Sequence, residues 1–382
     1  MKFNTKMIHS GQRPEVQFGA IIPPIYQTST FVQQSPGVFK GYDYTRANNP
    51  NFVNLEEALA SLDNAKEAVV FSSGLAAITA LFMIFSPSIR ILAEKDLYGG
   101  TKRLFNKILS RYGYHIEYYD LANTINLEKF IKKRRFNIIF LETPTNPLLR
   151  VIDIKKISAL VRRYGLVLIV DNTFASPYLQ RPLAFGAEAV VYSTTKYIGG
   201  HSDIIGGAIV TNNIKLTEQL KFLRKAMGFN PSPFDCWLIS RGLKTLSLRM
   251  ARHCENAKKV AEFLSGYKKI SQVYYPGLSY HKNHEVAKKQ MKDFGGMVSF
   301  ELMSNQKSLK RFLNSLEIFA LAESLGGVES LVNHPASMTH ASMSKKELSL
   351  NGISPQLIRL SVGIEDVTDI INDLKNAFAQ IT

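Results

Sequence analysis

Leu166-Val167-Leu168-Ile169-Val170-Asp171 is an unbroken apolar run that ends on a carboxylate. A strand with one wet face alternates apolar and polar residues, and this run does not alternate. It therefore reads as a strand covered on both faces, as in a parallel sheet with helices above and below. The pattern recurs on either side. Upstream, Ala68-Val69-Val70-Phe71 gives way to Ser72-Ser73-Gly74 and an apolar helix from Leu75 to Phe85. Further strands read at Ile89 to Ala93, Ile116 to Tyr119 and Ile138 to Glu142, with helices at Val53 to Leu62 and Thr101 to Arg111. Downstream, Ala189-Val190-Val191-Tyr192 runs into Ser193-Thr194-Thr195-Lys196. Strand and helix in turn predict an α/β fold on a mainly parallel sheet with crossover helices.

A chain of 382 residues is too long for one simple core, so two packed regions are expected. Pro14, Pro23, Pro24, Pro36 and Pro50 break any helical period in the first fifty residues, which read as an irregular arm ordered by a partner surface. After a strand at Ala208 to Val210, a long helical stretch runs from Phe234 to about Leu264. Strands at Met297 to Leu302 and Leu357 to Val362 then belong to a smaller C-terminal α/β domain. The division is an arm over 1–50, a main domain over 51–240 and the C-terminal domain over 241–382. No internal repeat is visible.

With 45% hydrophobic and 20% charged residues, the composition is that of a globular protein. Cys236 and Cys254 are too few for a disulfide framework, which points to reduced thiols and a cytoplasmic address. Met1 to Gly11 has no apolar signal core, and the longest apolar run, Leu75 to Phe85, is too short for a bilayer. No membrane partner is expected. The net charge of +16 is densest at Lys132-Lys133-Arg134-Arg135. Without aromatic interleaving or zinc-finger spacing, that cluster reads as a solvated helix face, and no nucleic-acid partner is expected. The charge would still steer anions toward a cleft.

Open α/β sheets bind ligands at the carboxyl ends of their strands, and the chemically suggestive residues cluster there. Ser73, Gly74 and Leu75 fall where a strand yields to a helix N-terminus, whose free N–H groups and positive dipole end suit a phosphate. Ser193 and Thr195 could add hydroxyl donors, although each of these residues could also be an ordinary helix cap. Asp171, costly if buried alone, would pair a protonated ring nitrogen or cap the next segment. Lys196, between an apolar strand and Gly199-Gly200, reads as a desolvated, reactive amine. Arg359, inside the apolar Leu357-Ile358-Arg359-Leu360-Ser361-Val362, needs a partner: a substrate carboxylate held bidentately or an internal salt bridge. Tyr98 could stack on a flat ring. An amine for a Schiff base, an anion for a pyridine nitrogen and a phosphate cup are the parts that hold pyridoxal 5′-phosphate (PLP).

These residues together resemble the Cys/Met-metabolism family of PLP enzymes, with its cystathionine lyases and γ-synthases. The likeness runs from Pro23-Pro24-Ile25-Tyr26-Gln27-Thr28-Ser29-Thr30 to Arg359-Leu360-Ser361-Val362-Gly363. Between them lie Ser72-Ser73-Gly74-Leu75-Ala76-Ala77, Asp96-Leu97-Tyr98-Gly99-Gly100-Thr101, Glu142-Thr143-Pro144-Thr145-Asn146-Pro147 and Asp171-Asn172-Thr173-Phe174. Asn49-Pro50-Asn51 and Ser193-Thr194-Thr195-Lys196 depart from the common Asn-Pro-Thr and Ser-Ala-Thr-Lys without removing a chemical group. The likeness implies the aspartate aminotransferase type I fold, the PLP-dependent transferase-like architecture. It implies a Schiff base on Lys196, Asp171 on the pyridine nitrogen, and Tyr98 stacking on the ring and deprotonating the incoming amine. Gly74, Leu75, Ser193 and Thr195 would hold the phosphate, while Asn146, Ser324 and Arg359 would receive a cofactor oxygen or the substrate carboxylate. Tyr44 and Arg46 match a pair that reaches the phosphate of a neighbouring subunit, within a homotetramer built from two dimers.

For the reaction, the resemblance implies Lys196 as the base at the α-carbon and a carbon–sulfur lyase acting on L-cystathionine. Glu323, in Ala322-Glu323-Ser324-Leu325-Gly326-Gly327, matches γ-lyases and γ-synthases, where a carboxylate meets the distal ammonium of the substrate; it could also be a plain surface glutamate. Gly100 stands where methionine γ-lyases carry a cysteine. The expectation is elimination from cystathionine, γ ahead of β, with cystathionine γ-synthase as the alternative. His281 and His284 are read as surface residues, and no metal site is expected.

Overall fold

The computed structural model describes residues 1–341 and 343–381. Seven strands form the larger sheet: β1 (Glu67–Phe71), β2 (Arg90–Glu94), β3 (His115–Tyr119), β4 (Ile138–Glu142), β5 (Val167–Asp171), β6 (Ala189–Tyr192) and β7 (Gly207–Thr211). Their order is β1-β7-β6-β5-β4-β2-β3, and β7 alone runs antiparallel to its neighbours. The unbroken apolar runs are explained by two cores, one on each face. Leu168, Val170, Val190 and Tyr192 face the first core, while Ile169, Ala189 and Val191 face the second. Helix α2 (Pro50–Asp63) packs into the first, and α3 (Gly74–Met83) into the second.

The second sheet has the order β8-β9-β12-β11-β10, from β8 (Ile270–Tyr274), β9 (Met297–Leu302), β10 (Ala320–Leu321), β11 (Leu331–Asn333) and β12 (Leu357–Ser361). It is mostly antiparallel, so its strands alternate. Ile358 and Leu360 enter a third core with Phe300, Phe312 and Phe378, which turns Arg359 to the opposite face. The helix Leu246–Ser265 joins the two regions. Leu246, Met250 and Cys254 pack with the first sheet, and Ala257, Val260, Ala261 and Leu264 with the second.

Three expectations need correction. The arm is not wholly irregular: α1 spans Phe3–His9, with Met7 buried against α2 and Lys6 Nζ bonded to Asn64 Oδ1 at 2.6 Å. The long helix from Phe234 is two helices, Pro233–Leu243 and Leu246–Ser265. They part at Lys244, where Gly242 lies so close to Gly199 O that no side chain fits. The helix from Thr101 begins at Gly99, ends at Lys107 and is followed by a 3₁₀ turn at Leu109–Tyr112.

As an edge strand, β1 has an outward N–H and C=O at Val70 with no strand beside them. Glu56 Oε1 accepts the N–H at 3.0 Å and Arg224 Nη1 donates to the carbonyl at 3.2 Å. The two side chains pair with each other, and Arg224 Nη2 also reaches Ala47 O, which ties the arm to the sheet. Removing one partner would strand a buried charge at a cost of about 3–5 kcal/mol.

Candidate active site

β4, β5 and β6 end side by side, and their last residues open the cleft. Glu142 and Asp171 are register neighbours in the β4–β5 pair. Asp171 keeps 9% of its surface exposed, and its Oδ1 accepts the Thr173 N–H at 3.0 Å. Burial pushes its carboxyl up to about 6, partly offset by Thr173. Thr173 Oγ1 also accepts the Ser193 N–H at 2.9 Å, which fixes the end of β5 to the chain leaving β6.

Lys196 follows β6 in a tight turn. Gly199 N–H bonds Thr194 O and Gly200 N–H bonds Lys196 O, both at 2.8 Å. Gly200 has φ +75°, and a side chain there would overlap the Arg249 guanidinium. Arg249 fills that space because it binds the carbonyls of Tyr197 (2.6 Å) and Gly242 (2.8 Å). The lysine amine is thereby turned inward, 2.7 Å from Ser324 Oγ. Burial draws its pKa down to about 8; the Arg359 guanidinium adds to the shift and Glu323 opposes it.

Arg359, 2% exposed, projects from β12 toward the same cleft. Its Nη1 donates to Asn146 Oδ1 at 2.8 Å and its Nη2 to Ser324 O at 2.9 Å, while Nε is buried without a partner. Burial lowers its pKa to about 10, so it remains charged at neutral pH. Instead of the salt bridge that the sequence left open, it is met by neutral oxygens. Glu323, next to Ser324 in the chain, is exposed and lies within electrostatic reach of both Lys196 and Arg359.

At the start of α3, Ser73 Oγ caps Ala76 N–H at 3.0 Å. Gly74 presses on Ser193, since an added Cβ would lie 3.1 Å from Ser193 Cβ. The first N–H groups of a helix have no helical acceptor, so those of Gly74 and Leu75 are left open at a helix end that packs on Ser193. Thr195 Oγ1 is engaged with the main chain of Gly206, as donor at 3.2 Å and acceptor at 2.9 Å. Tyr98 stands before α4 (Gly99–Lys107), with 38% exposure and its N–H on Glu142 Oε2 at 3.0 Å.

The fold thus brings Lys196, Ser324, Arg359 and Asn146 into direct contact, with Asp171 and Ser193 joined through Thr173. Tyr44 and Arg46 stand apart. Arg46 binds Lys225 O at 2.8 Å and lies over the Tyr44 ring, and among the described residues no hydrogen bond joins either to the Lys196 cleft. His281 and His284 are half-buried rather than exposed, and among the described residues no cluster of metal ligands occurs. Sequence reasoning gave no role to Thr173 or Glu142. The signal for Thr173 was its place two residues after a strand-ending aspartate, where an Asx turn forms.

The site suits PLP. A partly open carboxylate stands at the end of β5, a depressed-pKa amine follows the neighbouring β6, and two N–H groups open a helix beside a serine. A fold of this topology with these side chains defines a PLP-dependent enzyme of the aspartate aminotransferase type I architecture.

Residues 4–379 match the family of Cys/Met metabolism PLP-dependent enzymes, and the chain belongs to it. It is 48% identical over 373 residues to a cystathionine β-lyase of Lactococcus lactis subsp. cremoris, covering 98% of both chains. It is 46% identical over 378 residues to a cystathionine γ-lyase of Dictyostelium discoideum, covering 98% and 97%. A crystal structure of a cystathionine γ-synthase from Xanthomonas oryzae pv. oryzae in complex with cystathionine superposes with a TM-score of 0.97 at 41% identity, covering 100% of this chain and 98% of that one. Among the described residues, no helix is long and apolar enough to cross a membrane.

Proposed function

We propose that the chain is a carbon–sulfur lyase of transsulfuration that acts on L-cystathionine by elimination, with the γ branch ahead of the β branch. The observation that carries the γ reading is Glu323, an exposed carboxylate within electrostatic reach of Lys196 and Arg359. A two-headed amino acid suits that pairing of a guanidinium with an exposed carboxylate. Its α-carboxylate goes to Arg359 and its distal ammonium to Glu323. Relatives named for β-cleavage, γ-cleavage and γ-synthesis have similar identity, so the branch rests on this one residue.

In this reading Asp171 would pair the ring nitrogen of PLP, Lys196 would bind it covalently, and Ser73, Gly74, Leu75, Ser193 and Thr195 would hold its phosphate. When bound, it supplies an electron sink for charge that develops at the α-carbon. The chain's own residues do the rest. Lys196 Nζ, neutral in a useful fraction because of its depressed pKa, takes the α-proton. Ser324 Oγ holds that amine in line. Arg359, fixed by Asn146, sets the orientation of the carboxylate. Tyr98 would stack on the ring and accept the proton of the incoming amine. For γ-cleavage the Lys196 amine has to move a second proton, at the β-carbon.

The arm supports a shared site. Val16, Phe18, Ile21 and Val32 are 70–99% exposed in the single chain, more apolar surface than a free arm keeps in water. We assign them to a neighbouring subunit of a homotetramer, where Tyr44 and Arg46 reach the phosphate. Light scattering reads the assembly, and Arg46→Ala is expected to weaken cofactor binding.

The deciding experiment incubates the purified protein with L-cystathionine and identifies the keto acid. 2-Oxobutyrate with cysteine supports the γ branch. Pyruvate with homocysteine replaces it with the β branch. Neither product, with turnover of an O-acyl-homoserine and cysteine, makes the enzyme a γ-synthase.

A further inference from the structure

Glu142 has no part in the scheme above, yet it lies at its centre. It is 3% exposed and ends β4 as the register neighbour of Asp171 on β5. In parallel strands, register neighbours point to the same face, so the two carboxyl groups share one low-dielectric space. Oε2 accepts the N–H of Tyr98, and Oε1 is buried with no hydrogen-bond partner. A charged oxygen in that position would be costly, and two neighbouring buried carboxylates do not both ionise readily.

The groups facing Glu142 from the surrounding elements are Asp171 on β5, Asp96 in the loop after β2, Lys102 on α4 and Arg359 on β12. The cations are engaged elsewhere: Lys102 Nζ on Asn351 Oδ1 at 3.1 Å, Arg359 on Asn146 and Ser324. Among the described residues, none lies at ion-pair distance from Glu142. We propose that Glu142 is a neutral carboxylic acid, protonated on Oε1, which anchors the main chain of Tyr98 and leaves Asp171 as the charged member of the pair. It is a positioning residue, acting through Tyr98 and Asp171. Burial, then the Asp171 charge, raises the Glu142 pKa well above the carboxylate range against the opposing pull of the Tyr98 and Asn146 main-chain N–H groups, in agreement with this. The inference rests on the assignment of Asp171 to the ring nitrogen, but not on the choice of substrate.

The test uses full-length holoenzyme and needs no turnover. Glu142→Gln keeps an oxygen for the Tyr98 N–H and carries no charge. The infrared difference between wild type and E142Q at neutral pH is expected to show loss of a carboxylic-acid C=O band. Taking the difference removes other buried acids such as Glu94, whose pKa is pushed up to about 8. Cofactor affinity and the pH titration of its absorption band should stay within about threefold of wild type in E142Q, and affinity should fall about tenfold in E142A. In Asp171→Asn the Glu142 band should convert to carboxylate at lower pH than in wild type. Loss of carboxylate bands instead, or a Gln variant as impaired as the Ala variant, overturns the proposal. If E142A does not fold, the infrared difference and the Gln variant decide alone.

Discussion

Lys196 Nζ lies 2.7 Å from Ser324 Oγ, and the carbonyl of the same serine takes a 2.9 Å hydrogen bond from Arg359. One residue therefore sets both the amine proposed to move the proton and the guanidinium proposed to bind the carboxylate. Ser324 does so with φ +86°, in the left-handed region that side chains avoid. Its neighbour Gly326, at φ +77°, lies so close to Tyr197 N that a Cβ would sit 2.8 Å away. The loop is held in a strained shape against the turn that carries the lysine.

Ser324→Gly and Ser324→Ala separate strain from chemistry. Both remove the hydroxyl, and kcat is expected to fall about tenfold in each. Only glycine accepts the backbone without strain, so S324G should be more stable than S324A by about 1 kcal/mol. Thermal unfolding beside steady-state kinetics reads both effects. Wild-type turnover in S324G would show that the hydroxyl is dispensable.

The Lys196 pKa gives a signed pH effect in cofactor-free protein. The folded amine titrates near 8 and the unfolded one near 10.5, so the unfolded chain binds more protons between these values. The cost of burying the charged amine is full below about pH 8 and is relieved as pH rises toward 10.5. Lys196→Met should therefore stabilise the cofactor-free protein below that window and lose its advantage above it. The rate of covalent cofactor capture by wild type should rise with a midpoint near pH 8, measured by absorbance.

Arg359→Lys should behave as a loss. A lysine cannot donate to Asn146 Oδ1, Ser324 O and a carboxylate in one plane. A charged hydrogen-bonding group lost from a buried site corresponds to a kcat/KM reduced by roughly ten- to a hundredfold, mostly in KM. Asn146→Ala, which removes one acceptor, should cost less. A lysine variant with wild-type KM would assign Arg359 a purely structural place.

Glu323→Gln tests the distal contact. Because the carboxylate is exposed, its attraction for an ammonium is screened, and KM for cystathionine should rise only about three- to fivefold. KM for a sulfur amino acid without a second ammonium should not change. The cystathionine effect should also shrink with added salt.

Legibility followed burial. The β5 and β6 runs could be read because strands covered on both faces are apolar throughout, and their ends announced Asp171 and Lys196. β8 could not, since only Val273 of its five residues is buried and no alternation survives. β10 and β11 are two and three residues long, too short for any period. Helix α1 buries Met7 alone, so its order comes from packing on α2 rather than from its own pattern. The contacts of Arg249 with the Lys196 turn span about fifty residues of chain, a distance at which local sequence carries no signal.

Gly100 supplies the last prediction. An added Cβ there would overlap the Tyr98 ring at Cε1, so in this structure the ring rests where a side chain would be. The glycine gives Tyr98 a second place to lie, beside the position over the cofactor ring that its proposed role requires. The ring is 38% exposed, so turning it toward solvent would relieve the clash without backbone movement. Gly100 is buried, but the atoms an added Cβ meets first belong to that exposed ring, and alanine is favoured over glycine within a helix. Gly100→Ala should therefore change stability little, by about 0.5 kcal/mol or less. Its effect should appear in the kinetics. By denying the ring its resting place, alanine should favour the stacked position, strengthening cofactor binding and changing KM for cystathionine several-fold, since ordering one ring alters binding by about 1 kcal/mol. Fluorescence titration of cofactor binding beside the KM ratio checks this. A large loss of stability with unchanged KM would mean that the backbone yields and the tyrosine does not.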